Sequence, residues 1–202
     1  MGFGTLRVLN EERLAPGAEI APQRRANMEI LDWVVDGALV HRDASGAEHL
    51  QRAGELRWTG AGHGIEYAAR NASATAPAHV LQLWIQPDRV NAPPATAQRA
   101  FDPAAPAGRW TTLASPDGSD GSLAIRQRAW LHAVRLAPGE EAVWPLDPDR
   151  RCWLHLVQGA ADVDGTPFAA GDALGITAES GTLRIIATAP SEILFFAQAS
   201  PA

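Results

Sequence analysis

Short apolar runs alternate along the chain with turns that are rich in Gly and Pro, and residues 29–35, 153–157 and 182–187 are typical examples. Runs of this length between turn residues are typical of antiparallel strands. No stretch keeps apolar residues at helical spacing between capping residues. The pattern therefore predicts an all-β protein built from β barrels or sandwiches.

The chain also contains an internal repeat. The motif Leu-Ala-Pro-Gly occurs at residues 14–17 and again at residues 136–139, and a further glycine, Gly37 or Gly159, follows each motif at the same distance. Each half ends in an apolar run. The repeat predicts two similar β domains, and one continuous sandwich with a chance repeat is the alternative.

The repeat and the distribution of proline together suggest the domain boundaries. Residues 1–92 and 119–202 are the two predicted domains. The segment 93–118 is rich in proline, which lacks the N–H group that a strand ladder needs, so we predict that it is a connector.

Composition excludes several functions. The 202 residues include no lysine. The chain has 17 arginines and 23 acidic residues, which give a formal net charge of −6. Schiff-base chemistry and a lysine-dependent phosphate loop are therefore impossible, and nucleic acid is not an expected partner. The single cysteine, Cys152, excludes an intrachain disulfide and a cysteine-cluster metal site. No apolar run approaches the ~18 residues of a membrane span, so we expect a cytoplasmic protein without a membrane partner.

Several motifs resemble the pirin family of bicupins. In the first half they are NMEILDWVVDG at residues 27–37, HRDASG at 41–46 and AGHGI at 61–65, and in the second half SPDG at 115–118 and DGSL at 120–123. The resemblance covers essentially the whole chain. It implies two tandem cupin domains, each a double-stranded β-helix of jelly-roll type. It also implies that the N-terminal cupin lacks the first segment of the family.

The resemblance implies a metal site in the N-terminal cupin, where three histidines and one glutamate hold Fe or another divalent ion. Some family members are quercetin (flavonol) 2,3-dioxygenases. The His-x-His pair of the family corresponds to Gln23 and Arg25, and its His-x-Glu pair corresponds to Tyr67 and Ala69. Arginine is permanently charged and has no lone pair to donate, and alanine has no donor. We therefore predict that the chain holds no metal cofactor.

Strand parity predicts that these four positions share one interior with Glu29 if no bulge intervenes. Two interpretations follow for Arg25. The favoured one is an Arg25–Glu29 ion pair that replaces the metal as a structural element. The other is that Arg25 binds an anionic ligand between aromatic walls. The candidate ligand-binding residues are Arg25, Glu29, Trp33, Trp58, His63 and Tyr67.

The function that we favour is a metal-free, pirin-like bicupin that acts as a small-molecule-binding or regulatory interaction protein, with no residue assigned a catalytic role. The expected ligand is an anionic aromatic small molecule, and a homodimer or a regulatory protein partner is compatible with the sequence. The alternative is a metal-dependent quercetin 2,3-dioxygenase. A third class, a metal-independent enzyme that uses Tyr67, Glu29 or His63 for acid–base catalysis, has no specific spacing in its support.

Overall fold

The fold is taken from a computed structural model, which describes residues 2–43, 45–101 and 108–199. Within these described residues, nineteen strands and one short 3-10 helix follow one another. They are β1 (Leu6–Leu14), β2 (Glu19–Arg25), β3 (Glu29–Asp36), β4 (Ala38–Asp43), β5 (Glu48–Arg52), β6 (Glu55–Gly60), β7 (Ile65–Asn71), β8 (Ala78–Ile85), β9 (Ala95–Ala100), β10 (Thr111–Ser115), the 3-10 helix (Ser119–Gly121), β11 (Leu123–Ala124), β12 (Ala129–Leu136), β13 (Glu141–Leu146), β14 (Arg150–Gln158), β15 (Ala160–Val163), β16 (Thr166–Ala169), β17 (Ala173–Thr177), β18 (Gly181–Ala187) and β19 (Ser191–Ala199). The all-β prediction is confirmed.

The strands form two compact units. The first comprises Met1–Phe101 with Ile125–Gln127, and the second comprises Asp102–Ala124 with Arg128–Ala202. The first unit contains a five-stranded sheet in the order β1-β8-β3-β6-β9 and a four-stranded sheet in the order β2-β7-β4-β5. The second unit contains a six-stranded sheet, β11-β10-β12-β19-β14-β17, and a four-stranded sheet, β13-β18-β15-β16. Each unit is thus a two-sheet cupin sandwich, as predicted.

Aromatic side chains fill the interior of the second unit. The ring of Trp144 lies 4.6 Å from that of Phe195 and 5.4 Å from that of Trp110. Leu154 on β14 and Ile185 on β18 come from the two different sheets and belong to the same buried cluster. Side chains of alternate residues on each strand therefore meet between the sheets and form a packed core.

The segment predicted as a connector contributes strands to the sheets. Its strand β9 pairs with β6 along its whole length, from Glu55–Ala100 to Gly60–Ala95, and β10 pairs with β12 in the second unit. Strand β9 is an edge strand that begins after Pro93 and Pro94. Proline at the start of an edge strand interrupts no ladder hydrogen bond, so a proline-rich segment can still contribute such a strand. Residues 102–107 of this segment lie outside the described residues.

Within the described residues, no helix combines the length and the apolar composition that crossing a membrane requires.

We predict that the second unit loses stability in acid because of one buried histidine, His132. Its ring lies 3.2 Å from the hydroxyl of Thr112 and 4.6 Å from the ring of Trp144. Burial, assisted by the charge of Arg150, lowers the pKa of His132 to about 4. Its folded pKa is below its unfolded pKa, so the stabilisation is complete above about pH 6.5 and is lost as the pH falls towards 4, by about 3 kcal/mol.

The measurement is urea unfolding between pH 7.5 and pH 4.5, compared for the wild type, His132→Gln and His49→Gln. His49 is the matched control because its side chain is 48% exposed. The loss of unfolding free energy in acid should be smaller in His132→Gln than in the wild type and unchanged in His49→Gln. An equal acid dependence in all three proteins would contradict the prediction.

Candidate functional site

The two sheets of the first unit enclose a cavity of about 140 Å³ between them. All four positions that the family resemblance predicts to correspond to metal ligands line it, namely Gln23, Arg25, Tyr67 and Ala69. The other lining residues are Asn10, Glu12, Ile20, Asp32, Leu39, His41, Val80, Gln82 and Trp84. This cavity is the candidate functional site.

A bulge in β2 brings these side chains to one face. Ile20 pairs with Ala69, whereas Gln23 pairs with Tyr67, so the register shifts by one residue between the two pairs. A bulge inserts an extra residue and re-aims the side chains that follow it. Both Ile20 and Gln23 therefore face the cavity although three positions separate them.

Arg25 stands at the edge of the cavity. Its guanidinium lies 4.4 Å from the ring centre of Trp84, which is a cation–π contact. One terminal nitrogen donates to the backbone carbonyl of Arg24 at 3.0 Å, and the other donates to the side-chain oxygen of Gln23. The Nε atom is buried and has no hydrogen-bond partner among the residues that the structure describes. The side chain also lines an open surface depression with Arg24, Gly64 and Glu66, so it marks the entrance of the cavity.

A hydrogen-bonded chain of polar groups crosses the cavity wall that β3 and β8 form. The indole N–H of Trp84 donates to Oε1 of Gln82 at 2.5 Å, and Nε2 of Gln82 donates to Oδ1 of Asp32 at 2.7 Å. On the opposite sheet, His41 is bonded to Gln51 at 2.7 Å. These bonds fix the orientation of the polar side chains, because leaving a buried polar group unpaired costs about 1–3 kcal/mol.

Burial favours the neutral forms of the titratable groups around the cavity. Desolvation raises the pKa of Asp32, more than the nearby His41, Gln82 and Arg57 lower it. Desolvation also lowers the pKa of His41. The pKa of Tyr67 is raised to about 12 by burial and by the negative charge of Asp32. The phenol of Tyr67 therefore keeps its proton at neutral pH and can donate a hydrogen bond.

The prediction of an Arg25–Glu29 ion pair is wrong. Glu29 begins β3, which belongs to the other sheet, and its carboxylate accepts hydrogen bonds from Trp58 Nε1 at 2.6 Å and from the backbone N–H of Arg126 at 2.9 Å. The alternation of side chains between the two faces of a strand does not continue through the turn between β2 and β3, because Asn27 in this turn has a positive φ of 51°. Glu29 consequently faces away from the cavity and is 1% exposed.

Three further candidate residues lie outside this cavity. Trp33 and Trp58 share the face of the five-stranded sheet on which Glu29 lies, because alternate residues of β3 and β6 point to opposite sides. The ring of Trp33 lies 6.4 Å from that of Phe101. His63 is exposed in the turn before β7, where its backbone N–H donates to the carbonyl of Ala92. The aromatic wall of the cavity is Trp84 instead.

Backbone contacts hold the turns beside the cavity. The N–H of Asn27 donates to the carbonyl of Gly62 at 2.7 Å, and the side-chain oxygen of Asn27 accepts the N–H of Asn91 at 2.7 Å. A Cβ atom on Gly62 would lie 1.9 Å from the carbonyl oxygen of Ala92. Only glycine fits at this position, which explains the Ala-Gly-His-Gly-Ile motif in structural terms.

The sequence contained a signal for the polar residues that our prediction missed. Asp32 and Gln82 each stand as a single polar residue among apolar neighbours of a strand, whereas His41 is followed by the polar residues Arg42 and Asp43. A buried polar residue in an otherwise apolar run is expected to have a partner. The residues that face them come from strands distant in the chain, so the partners could not be predicted.

A second cavity adjoins the first at His41 and Tyr67, which line both. It has a volume of about 200 Å³ and is otherwise lined by Arg42, Asp43, Arg57, Thr59, Ile65, Pro94, Ala95 and Thr96. Arg57 is 7% exposed and donates to Gln98 at 3.3 Å. His41 and Tyr67 therefore separate the two spaces.

Two cupin sandwiches, of which the first contains a lined interior cavity, define the chain as a bicupin. The pirin family model matches residues 2–85, and the family described as the quercetinase C-terminal cupin domain matches residues 112–197. The chain belongs to the pirin family.

Relatives of known name and structure cover nearly the whole chain. It is 35% identical over 196 residues to a protein of Escherichia coli (strain K12) named quercetin 2,3-dioxygenase, with 97% of this chain and 83% of the relative covered. It is 31% identical over 195 residues to the pirin-like protein of Caulobacter vibrioides, with 96% and 83% covered. The crystal structure of the bacterial pirin YhhW from Escherichia coli in complex with nickel(II) superposes with a TM-score of 0.91 at 32% identity, covering 100% of this chain and 85% of that one.

We predict that Asp32→Asn stabilises the protein more at pH 7.5 than at pH 4.5. The folded pKa of Asp32 is raised, so its contribution to stability is complete below the unfolded pKa of about 3.9 and is lost as the pH rises through the folded pKa. Asparagine is neutral at every pH and keeps an oxygen that accepts from Gln82.

Urea unfolding of the wild type, Asp32→Asn and Asp36→Asn at the two pH values checks this prediction. Asp36 is an exposed residue of the same strand and serves as the control. If Asp32→Asn lost stability relative to the wild type as the pH rises, the proposed neutral preference of this carboxyl would be refuted.

Proposed function

We propose that this pirin-family protein binds a small anionic ligand in the cavity of its N-terminal cupin, with Arg25 as the anchor and without a resident metal ion. The observation that carries the proposal is the position of Arg25. Its guanidinium lies at the cavity entrance beside Trp84, and its buried Nε has no hydrogen-bond partner among the described residues. The family resemblance assigns this position to a metal ligand.

The donors around the cavity do not fit a divalent transition metal. The four family positions offer one amide oxygen, one phenol, one guanidinium and one methyl group. Arginine has no lone pair, and its fixed charge repels a divalent cation in a space of low dielectric. The phenol of Tyr67 would have to lose a proton whose pKa is raised to about 12. Among the described residues, no cluster of three or more His, Cys, Asp or Glu side chains could take the place of these ligands.

The guanidinium is suited to an anion. Arginine has five N–H donors in a planar fork, which matches the two oxygens of a carboxylate. The hydrogen bonds of Arg25 go to two neutral oxygens, on Gln23 and on the backbone of Arg24. Within the described chain, its ion-pairing capacity is not used by any carboxylate. A ligand carboxylate or phenolate at the entrance would supply the missing negative charge.

In this proposal the protein acts as a small-molecule-binding protein, and a regulatory or interaction role would follow from ligand occupancy. The alternative is the metal-dependent quercetin 2,3-dioxygenase activity. The names of the relatives and the nickel complex of the Escherichia coli pirin support that alternative. The substitutions at the ligand positions argue against it, and metal analysis separates the two.

We predict that the purified protein retains well below one metal ion per chain after exposure to Fe(II), Ni(II), Mn(II) or Cu(II) and removal of free metal. The measurement is elemental analysis. A combined variant, Gln23→His, Arg25→His, Tyr67→His and Ala69→Glu, supplies the donor set that the family resemblance implies and should retain more metal. One ion per wild-type chain, lost on Gln23→Leu with Tyr67→Phe, would overturn the metal-free proposal.

We also predict that benzoate binds the wild-type protein and that Arg25→Met weakens this binding at least about 10-fold, because a charge-assisted hydrogen bond contributes about 1.5–3 kcal/mol. Titration calorimetry and the shift of the unfolding temperature measure it. Arg24→Met is the matched control, since Arg24 is 88% exposed and pairs with Glu66 on the surface. Equal benzoate affinity in wild type and Arg25→Met would show that Arg25 is not the anchor.

A further inference from the structure

The strand registers arrange the cavity lining in three levels. Trp84 on β8 is opposite Ile30 on β3, Gln82 is opposite Asp32, and Val80 is opposite Val34. The cation–π contact places Arg25 at the level of Trp84. Successive levels are two residues apart along a strand, or about 6.6 Å. The cavity therefore has a cationic entrance level, then a polar level, then an inner level.

The polar level contains groups from both sheets. Asn10 and Asp32 flank Gln82 in the five-stranded sheet, and Gln23 lies beside Tyr67 in the four-stranded sheet. All five residues line the cavity. The phenol of Tyr67 is a neutral donor because its pKa is raised to about 12. A ligand atom at this level thus meets hydrogen-bonding groups and not hydrocarbon.

The inner level is mostly apolar, and His41, which pairs with Ala69 in the four-stranded sheet, is its polar member on that side. Leu39 and Val80 are buried, and Ile20 and Ala69 pair with each other across β2 and β7. Hydrocarbon is the chemistry that such a surface accepts, since each buried CH₂ group contributes about 0.8 kcal/mol. The one charged group at this end is Glu12, which pairs with Val80, is exposed, and disfavours a second anionic group.

The volume limits the size of the ligand. A cavity of about 150 Å³ is large enough for benzene, whereas sites for drug-sized ligands measure about 300–1,000 Å³. At about 140 Å³, the cavity accommodates one ring. A flavonol has three rings, and the second cavity beyond His41 and Tyr67 would have to join the first before a flavonol could enter.

We infer that the cavity selects a single-ring carboxylate that carries a hydroxyl group, of the hydroxybenzoate class, and excludes flavonols. The carboxylate binds Arg25, the hydroxyl group bonds with Tyr67 at the polar level, and the ring edge contacts Leu39 and Val80. The inference deepens the proposed function and rests on it, because it requires the carboxylate site at Arg25. Tyr67 is the residue that determines the preference for a hydroxyl group.

The experiment measures dissociation constants for benzoate, for 2-, 3- and 4-hydroxybenzoate and for quercetin by titration calorimetry. The proteins are the wild type, Tyr67→Phe and Arg25→Met. In the wild type, at least one hydroxybenzoate should bind about 5- to 10-fold tighter than benzoate, since a net hydrogen bond contributes about 1 kcal/mol. Quercetin should bind more weakly than benzoate. Tyr67→Phe should abolish the preference for the hydroxyl group while it still binds benzoate. The exposed control Arg24→Met, measured beside it, should bind every ligand with the wild-type affinity.

The outcomes separate this inference from the proposed function. If none of the carboxylates binds, or if Arg25→Met binds them as the wild type does, the proposed function fails and the inference fails with it. If benzoate binds through Arg25 but the hydroxyl group adds no affinity in any position, only the inference is overturned. The inference is also overturned if quercetin binds more tightly than benzoate, or if Tyr67→Phe keeps the preference for a hydroxyl group.

Discussion

The free-energy cost of placing polar groups between two β-sheets governs the N-terminal cupin. Asp32, His41 and Gln82 face the space between the sheets, and each is held by a hydrogen bond to another side chain. Such bonds are directional, so they set the shape of the cavity as well as its polarity. Among the described residues that line the cavity, the guanidinium of Arg25 keeps a buried N–H donor that no hydrogen bond uses.

The turn between β2 and β3 explains why Arg25 is in this situation. It carries the chain from one sheet to the other, and it turns Glu29 toward Trp58 and Arg126 on the far side of the five-stranded sheet. A cation and an anion four residues apart are thus separated by a sheet. Glu29 accepts hydrogen bonds that hold the structure on one face of the sheet, whereas Arg25 borders the cavity on the other face.

Alternating apolar runs and the repeated glycine turns were enough to predict an all-β chain with two similar halves, and the motifs were enough to predict the cupin fold. The same reasoning failed where geometry departs from simple alternation. The bulge after Ile20 and the positive φ of Asn27 change the parity that sequence counting assumes. Gln82 and Asp32 were recognisable as polar residues in apolar runs, but their contact depends on the pairing of β3 with β8, which no local pattern specifies.

The turn built from Asn27, Gly62 and Asn91 has a consequence for how such a protein can change. Its hydrogen bonds use backbone atoms and the side chains of Asn27 and Asn91, and none of these residues belongs to the cavity lining. The frame that positions the lining is therefore physically independent of the lining itself. Side chains that face the ligand can be exchanged while the frame persists, which makes this cupin a natural starting scaffold for receptors with altered specificity.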